Sequence, residues 1–420
     1  MQIKNRFLAL LTYSEKYTKT DMKYFAHGNF WLFFGQIIPT AVGMILTIAF
    51  ANLLSQEAFG TYKYILSLAG FLGAFTLSGI WTSLLRDVAQ GRDGVLRPAF
   101  RLTLKWSLLA SAGALVIGLY YLIKGNALLG ISGITIAVAT PLLNASSIHQ
   151  AFVSGKKDFK QFANNRVIQS VVSVTAMIIT LLLTQNLLII ILVYFSISVF
   201  MSMSLYQFTL KKYKPKDTKI PEESIRYAKH LSLMGILSRF ADNLDQLLMW
   251  HFVGPAQLAI YTFAKKPVTE LQNVIGNIFP LLLPKFAEKD PVEIKKTIPL
   301  RVGQSLLFVI PVIIGYIWFA PLFFKFLFPQ YMEAVWYSQI LVLMLIFFPK
   351  GFMGSILTAH AKIKEQYVLN VVGSLTKIII LFVLLPKFGI LGAIIAIIGH
   401  EFIYTLMLII LFFKKDNDTK

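Results

Sequence analysis

The chain has 420 residues, 56% of them hydrophobic and only 14% charged, and a formal net charge of +20. Soluble domains carry roughly 25% charged residues, so this composition, with a mean hydropathy of +0.67, excludes a water-soluble globular protein. A disulfide framework and thiol chemistry are excluded too, because cysteine is absent.

A hydrocarbon core about 30 Å thick is crossed by about 20 apolar residues of helix. Runs such as 187–193 and 390–398 are apolar on every face, whereas a barrel strand alternates polar and apolar residues. Helices are therefore predicted. In chain order they cover 28–53, 58–85, 102–123, 127–153, 163–184 and 187–210, then 228–253, 258–284, 299–320, 334–359, 366–385 and 389–413. The fold class is all-α and polytopic, with about twelve transmembrane helices in two six-helix lobes. The expected domains are an N-terminal lobe over 1–210, a basic cytoplasmic linker over 211–229 and a C-terminal lobe over 230–420. No cleaved signal peptide is expected, since the first 24 residues hold one short apolar run at 7–11.

Lysine and arginine fill alternate loops. One set comprises the N-terminal Lys4 to Lys23, Arg86 to Arg101, Lys156 to Arg166, the linker, Lys285 to Arg301, Lys362 with Lys364, and the tail; the opposite loops offer Lys124, Lys325 and Lys387. By the positive-inside rule the first set and both termini are cytoplasmic. The net charge thus reports topology and anionic headgroups, and no nucleic-acid partner is expected. The stretch 53–62 can be laid on 252–261, which makes the two halves parallel repeats.

Ionisable groups inside a membrane normally face a cavity, a partner or the interface. Basic ones singled out are Lys63, Arg239, Lys265, Lys266, Lys350 and Lys377; the acidic ones are Asp242, Asp245, Glu270 and Glu401, all in the second half. Lys63, Lys265 and Lys266 fall on the second helices of the two halves, which the repeat places face to face, or they snorkel to the interface. Arg239, Asp242, Asn243 and Gln246 share a helix face, as do Asn370, Ser374 and Lys377, and the two polar stripes are expected to meet. Their roles are open between a site, an Arg239–Asp242 ion pair, and hydrogen bonds that glue helices. Lys350 follows Pro349 and is a candidate occupant of a kink. Prolines 39, 141, 280, 284, 311 and 349 suit bending helices. The histidines lack metal-ligand spacing, so no metal and no bound cofactor are expected.

Three segments, LSQEAFGTY at 54–62, DQLLMWHFVG at 245–254 followed by Tyr261, and LPKFGILGA at 385–393, together resemble the multidrug/oligosaccharidyl-lipid/polysaccharide exporter superfamily, specifically its bacterial polysaccharide flippases of the O-antigen type. The resemblance implies two lobes around a central cavity, alternating access, an inner (plasma) membrane location, and an undecaprenyl-type lipid-pyrophosphate oligosaccharide as cargo. A polymerase and glycosyltransferases of the same pathway become expected partners beside the lipid bilayer. A diphosphate losing its water would need cations, which makes Lys63, Arg239, Lys265, Lys266, Lys350 and Lys377 substrate candidates. Asp242, Asp245, Glu270, Asn370, Ser374 and Glu401 are candidates for the coupling ion, Na+ or H+.

The chain has no GxxxxGK[ST] phosphate loop and no soluble domain for a nucleotide. The alternatives are a drug or metabolite exporter of the same fold and a membrane-embedded polymerase or glycosyltransferase. The short outer loops lack the acidic pairs an enzyme would use, and the excess of basic groups within spans favours an anionic cargo.

Overall fold

Four of the helices are introduced by a residue whose side chain satisfies a free amide of the helix start. In the computed structural model, which describes residues 22–276, 291–360 and 362–413, the Ser55 hydroxyl accepts from the Ala58 amide, Asn126 from Leu129, Asp158 from Gln161 and Asn186 from Leu188. Pro255 opens another helix at a position where no N–H is needed.

In chain order the helices are α1 (Met22–Leu53), α2 (Gln56–Gly73), α3 (Ile80–Ala89), α4 (Leu96–Ile123), α5 (Ala127–Ser147), α6 (His149–Gly155), α7 (Phe159–Leu183) and α8 (Leu187–Tyr213). They continue with α9 (Glu222–Phe252), α10 (Pro255–Gly276), α11 (Pro291–Leu327), α12 (Ala334–Leu341), α13 (Lys350–Ala359) and α14 (Ile363–Phe413). Among the described residues there is no strand.

Every predicted span has a helical counterpart, and several are not straight rods. The span 58–85 breaks between α2 and α3, and 127–153 steps at Ile148 between α5 and α6. The span 334–359 is bent by 45° around a 3-10 stretch and Pro349. The last two spans run together as α14, which turns where Gly389 takes φ 56° beyond Pro386, a left-handed conformation that favours glycine. The end of the span 258–284, with Pro280 and Pro284, lies outside the described residues.

Seven helices among the described residues are long and apolar enough to cross a membrane, and the bent pair makes an eighth. The helices that fail this test include α2, α9 and α10, and these carry Lys63, Arg239, Asp242, Asp245, Lys265, Lys266 and Glu270. Large apolar side chains such as Val116, Leu183 and Trp318 stay exposed, as hydrocarbon allows.

Packing divides the chain into two compact units. One runs to Ala49 and again over Phe75–Ser232; the other holds Phe50–Ala74 and the residues from Leu233 onward. The continuous helix α9 therefore contributes its first turns to one unit and the rest to the other.

The first unit is centred on Leu77, Leu84, Val88, Phe152 and Tyr206, all buried. At its basic end a charged collar ties the loops together. The buried Asp87 takes Arg92 at 2.8 Å and the Ser224 hydroxyl at 2.9 Å, Asp93 takes Lys156 at 2.6 Å, and Arg97 meets Asp217 at 3.3 Å. Asp158 accepts from Tyr213 at 2.7 Å and from Lys212 at 3.0 Å. Partial burial would lift the Asp158 carboxyl, but hydrogen bonds from Tyr213, the Gln161 amide and Lys212 outweigh it and hold its pKa below the usual range.

The second unit has one core around Ile298, Met353, Leu369 and Phe412. A second, aromatic core joins α2 to α10 and the 3-10 turn at 329–331: Phe59 lies 4.8 Å from Phe263, and Phe263 3.9 Å from Tyr331, between ring centres. This approach requires Gly60, where a Cβ would stand 1.8 Å from the Pro255 carbonyl oxygen.

Candidate functional site

The site is built within the second unit. Helix α2 lies along α9 through stacked Tyr64 and Trp250 (4.1 Å), the Ser67 hydroxyl donating to Gln246 (2.8 Å), and Phe71 against Phe240 (4.7 Å). This packing and the Gly60 contact with α10 set the height of Lys63.

Lys63 is half-buried, with its ammonium 5.7 Å from the Phe59 ring centre and within electrostatic reach of Lys266 and Lys265. Among the described residues no carboxylate pairs with it. Its neighbours do have acids. Lys265 donates to Asp245 at 2.6 Å, and Lys266 to Glu270 at 2.6 Å one turn along the same helix. Three lysines thus share two carboxylates.

Asp245 is fully buried. Its carboxylate accepts from Lys265, from the Tyr261 hydroxyl at 2.5 Å and from the Gln246 amide at 2.9 Å. Three donors leave it no room to turn, and it fixes the direction of Lys265.

Lys265 also lines a cavity of about 260 Å³ whose polar wall includes Ser238, Asp242, Asn370, Ser374, Lys377, His400 and Glu401. Here the two predicted stripes meet. Lys377 of α14 pairs with Asp242 of α9 at 3.3 Å, and the Ser374 hydroxyl donates to that of Ser238 at 3.4 Å. Lys350 pairs with Glu401, and its ammonium sits 4.7 Å from the Tyr404 ring centre.

The structure thus sorts the predicted residues into two groups. Lys63, Lys265, Lys266, Asp245 and Glu270 gather on α2, α9 and α10. Lys377, Asp242, Asn370, Ser374 and Glu401 gather at the cavity, with Lys265 touching both groups and Lys350 joined to the second through Glu401. Arg239 belongs to neither: it is exposed on α9, and of the alternatives open for it the ion pair with Asp242 is not the one formed, since Asp242 pairs with Lys377 from the facing helix. Lys350 sits at the first position of α13 after Pro349, at the break, and has an acid partner there.

Sequence reading missed His400, whose Nδ1 is buried on the cavity wall without a partner among the described residues. Helical spacing held the signal, since His400 adjoins Glu401 and stands one turn from Tyr404. Tyr261 follows the second motif in the sequence, and the structure gives it the bond to the buried Asp245.

A family model described as polysaccharide biosynthesis protein matches residues 25–289. The chain belongs to that family. This agrees with the membership read from the three segments, in the multidrug/oligosaccharidyl-lipid/polysaccharide exporter superfamily on its polysaccharide side. No protein of curated function matches in sequence.

Among solved structures, similarity extends along most of the chain. An outward-facing multidrug resistance MATE family transporter of the MOP superfamily is 14% identical, with a TM-score of 0.60, over 93% of this chain and 94% of that one. Its inward-facing counterpart gives 14% and 0.61 over 92% and 97%. A MOP superfamily transporter from Pyrococcus furiosus, described as having a binding pocket of reverse polarity, gives 14% and 0.60 over 93% and 94%. At this identity the likeness is one of fold. Family and fold together support a multi-pass membrane protein of the exporter class.

Proposed function

We propose that the protein flips lipid-pyrophosphate-linked oligosaccharide repeat units of the undecaprenyl type from the cytoplasmic to the outer face of the inner membrane, by alternating access, for surface polysaccharide of the O-antigen kind. The observation that carries this reading is Lys63, a half-buried cation with no acid partner among the described residues, set beside Lys265 and Lys266 in a polysaccharide biosynthesis protein. An unbalanced cation inside a membrane favours an anionic ligand, and a diphosphate that has lost its water needs several donors at once. Lys63 is the first contact in this reading, with Lys265 aimed by Asp245 as the second and Lys266 as the third. Arg239, exposed on α9, is assigned to the same anion along its path. Lys350 and Lys377, both paired with acids, serve the coupling side with Asp242, Glu401, Asn370 and Ser374, where a Na+ or H+ gradient is exchanged. Both termini are assigned to the cytoplasm by the loop charges, and a polymerase and glycosyltransferases of the pathway are the proposed partners.

The test is flipping of a lipid-diphosphate oligosaccharide by purified protein in liposomes, comparing wild type with Lys63→Ala. Flipping by the wild type that falls in the variant supports cargo and site together. Absence of flipping, with a cationic dye exported instead, would transfer the chain to the drug exporters of the same fold.

A further inference from the structure

Three carboxylates meet three ammonium groups around the second unit's cavity: Asp245 with Lys265, Asp242 with Lys377, and Glu401 with Lys350. Each pair joins two different helices, so each ammonium is delivered to its carboxylate by the packing of the unit. A hard metal cation in a membrane transporter is held by oxygen donors, either carboxylates or the carbonyl dipoles of unwound helix ends, and an ammonium fixed among those donors repels it. Here the negative charge on the wall is already matched. Lys377 is the most telling case, with 12% of its side chain exposed against 71% for its partner Asp242: the ammonium is anchored in the wall and the carboxylate looks into the space.

We infer that Lys377 and Lys350 are resident cations, filling the electrostatic place of an exchangeable metal ion, so that the cavity has no seat for Na+ and the ion it exchanges is a proton. The proton acceptors are Asp242 and Glu401. The charged and titratable groups that face them are Lys265 from α10, Lys350 from α13, and Lys377, His400 and Tyr404 from α14. Protonating either carboxylate frees its lysine, whereas a metal ion would have to bind against an ammonium that cannot leave. The inference rests on the export reading for its purpose and not for its test.

The test is binding of radioactive 22Na+ to the purified full-length protein in a choline buffer, with unlabelled NaCl as competitor. Wild type is expected to show no saturable binding. Lys377→Met removes one resident charge and is expected to gain saturable binding, which Asp242→Asn in the same chain then abolishes. Lys350→Met is the parallel variant at Glu401, used if Lys377→Met does not purify as a monodisperse species. Saturable binding by wild type that Asp242→Asn removes would overturn the inference, and so would failure of both lysine variants to gain it. In liposomes, flipping driven by a pH gradient in sodium-free buffer is the companion expectation. A strict need for Na+ there would likewise refute it, while absence of all flipping would strike the export reading and leave the binding result standing.

Discussion

Lys265 of α10 and Asp245 of α9 meet at 2.6 Å, with the carboxylate completely buried and the lysine partly open to the neighbouring cavity. One end of this pair belongs to the core and the other to the site, so the two roles separate on mutation. Breaking a buried pair by deleting one partner costs about 3–5 kcal/mol, because the remaining charge is left without compensation. Asp245→Ala is expected to lower the thermal unfolding midpoint in detergent sharply, and Asp245→Asn less, since the amide still accepts from Tyr261. A midpoint for Asp245→Ala equal to wild type would show that the pair is dispensable.

Lys63 is expected to behave in the opposite way. Having no acid partner among the described residues, it leaves no orphaned carboxylate when removed, and Lys63→Ala should keep or raise the unfolding midpoint while flipping falls. A hydrogen bond to a charged group is worth about 1.5–3 kcal/mol, so flipping at low cargo concentration is expected to drop about tenfold to a hundredfold. Lys63→Arg should restore part of it. Lys266→Ala leaves Glu270 unpaired and is expected to lose both stability and transport.

Gly60 tests the packing that carries the site. A methyl group there would sit 1.8 Å from the Pro255 carbonyl oxygen, so α2 and α10 must separate. Overpacking costs typically about 1–3 kcal/mol. Gly60→Ala should therefore unfold at lower temperature than wild type and also lose flipping, because Lys63 rides on the same helix. A variant as stable as wild type would mean that the contact can relax.

Asp158 predicts a pH dependence in the first unit. Its pKa is depressed in the folded protein by Tyr213, Gln161 and Lys212, against the opposing effect of burial. A depressed carboxyl contributes stability that is present above its unfolded pKa of about 3.9 and is lost as pH falls through the lower folded value. Thermal midpoints measured from neutral to strongly acidic pH should fall more gently for Asp158→Asn than for wild type. Parallel curves would remove Asp158 from the acid response.

Much of the fold was legible in the sequence because most membrane helices declare themselves by long apolar runs. The bends were less so. Pro349 and Gly389 mark two of them, but the break between α2 and α3 carries no proline, and it follows from packing that splits 50–74 from the residues after it. At the site, the charged residues could be listed from hydropathy alone, since each stands out in an apolar run. Their partners could not. Arg239 and Asp242 look like a pair at helical spacing, and only the approach of α14 gives Asp242 to Lys377. Likewise the acid shared by Tyr261 and Lys265 depends on how α10 lies on α9, which no local pattern encodes.

The failure of α2, α9 and α10 to qualify as apolar spans bears on how the chain is made. A helix carrying Lys63 partitions poorly into lipid by itself, and its half-buried place beside α10 exists only once α10 has been synthesised, roughly two hundred residues later. At about 5–20 residues per second that is a wait of about ten to forty seconds. For that interval α2 lacks the neighbour that half-buries its lysine, so the same lysine that unbalances the finished site makes α2 depend on a helix made much later.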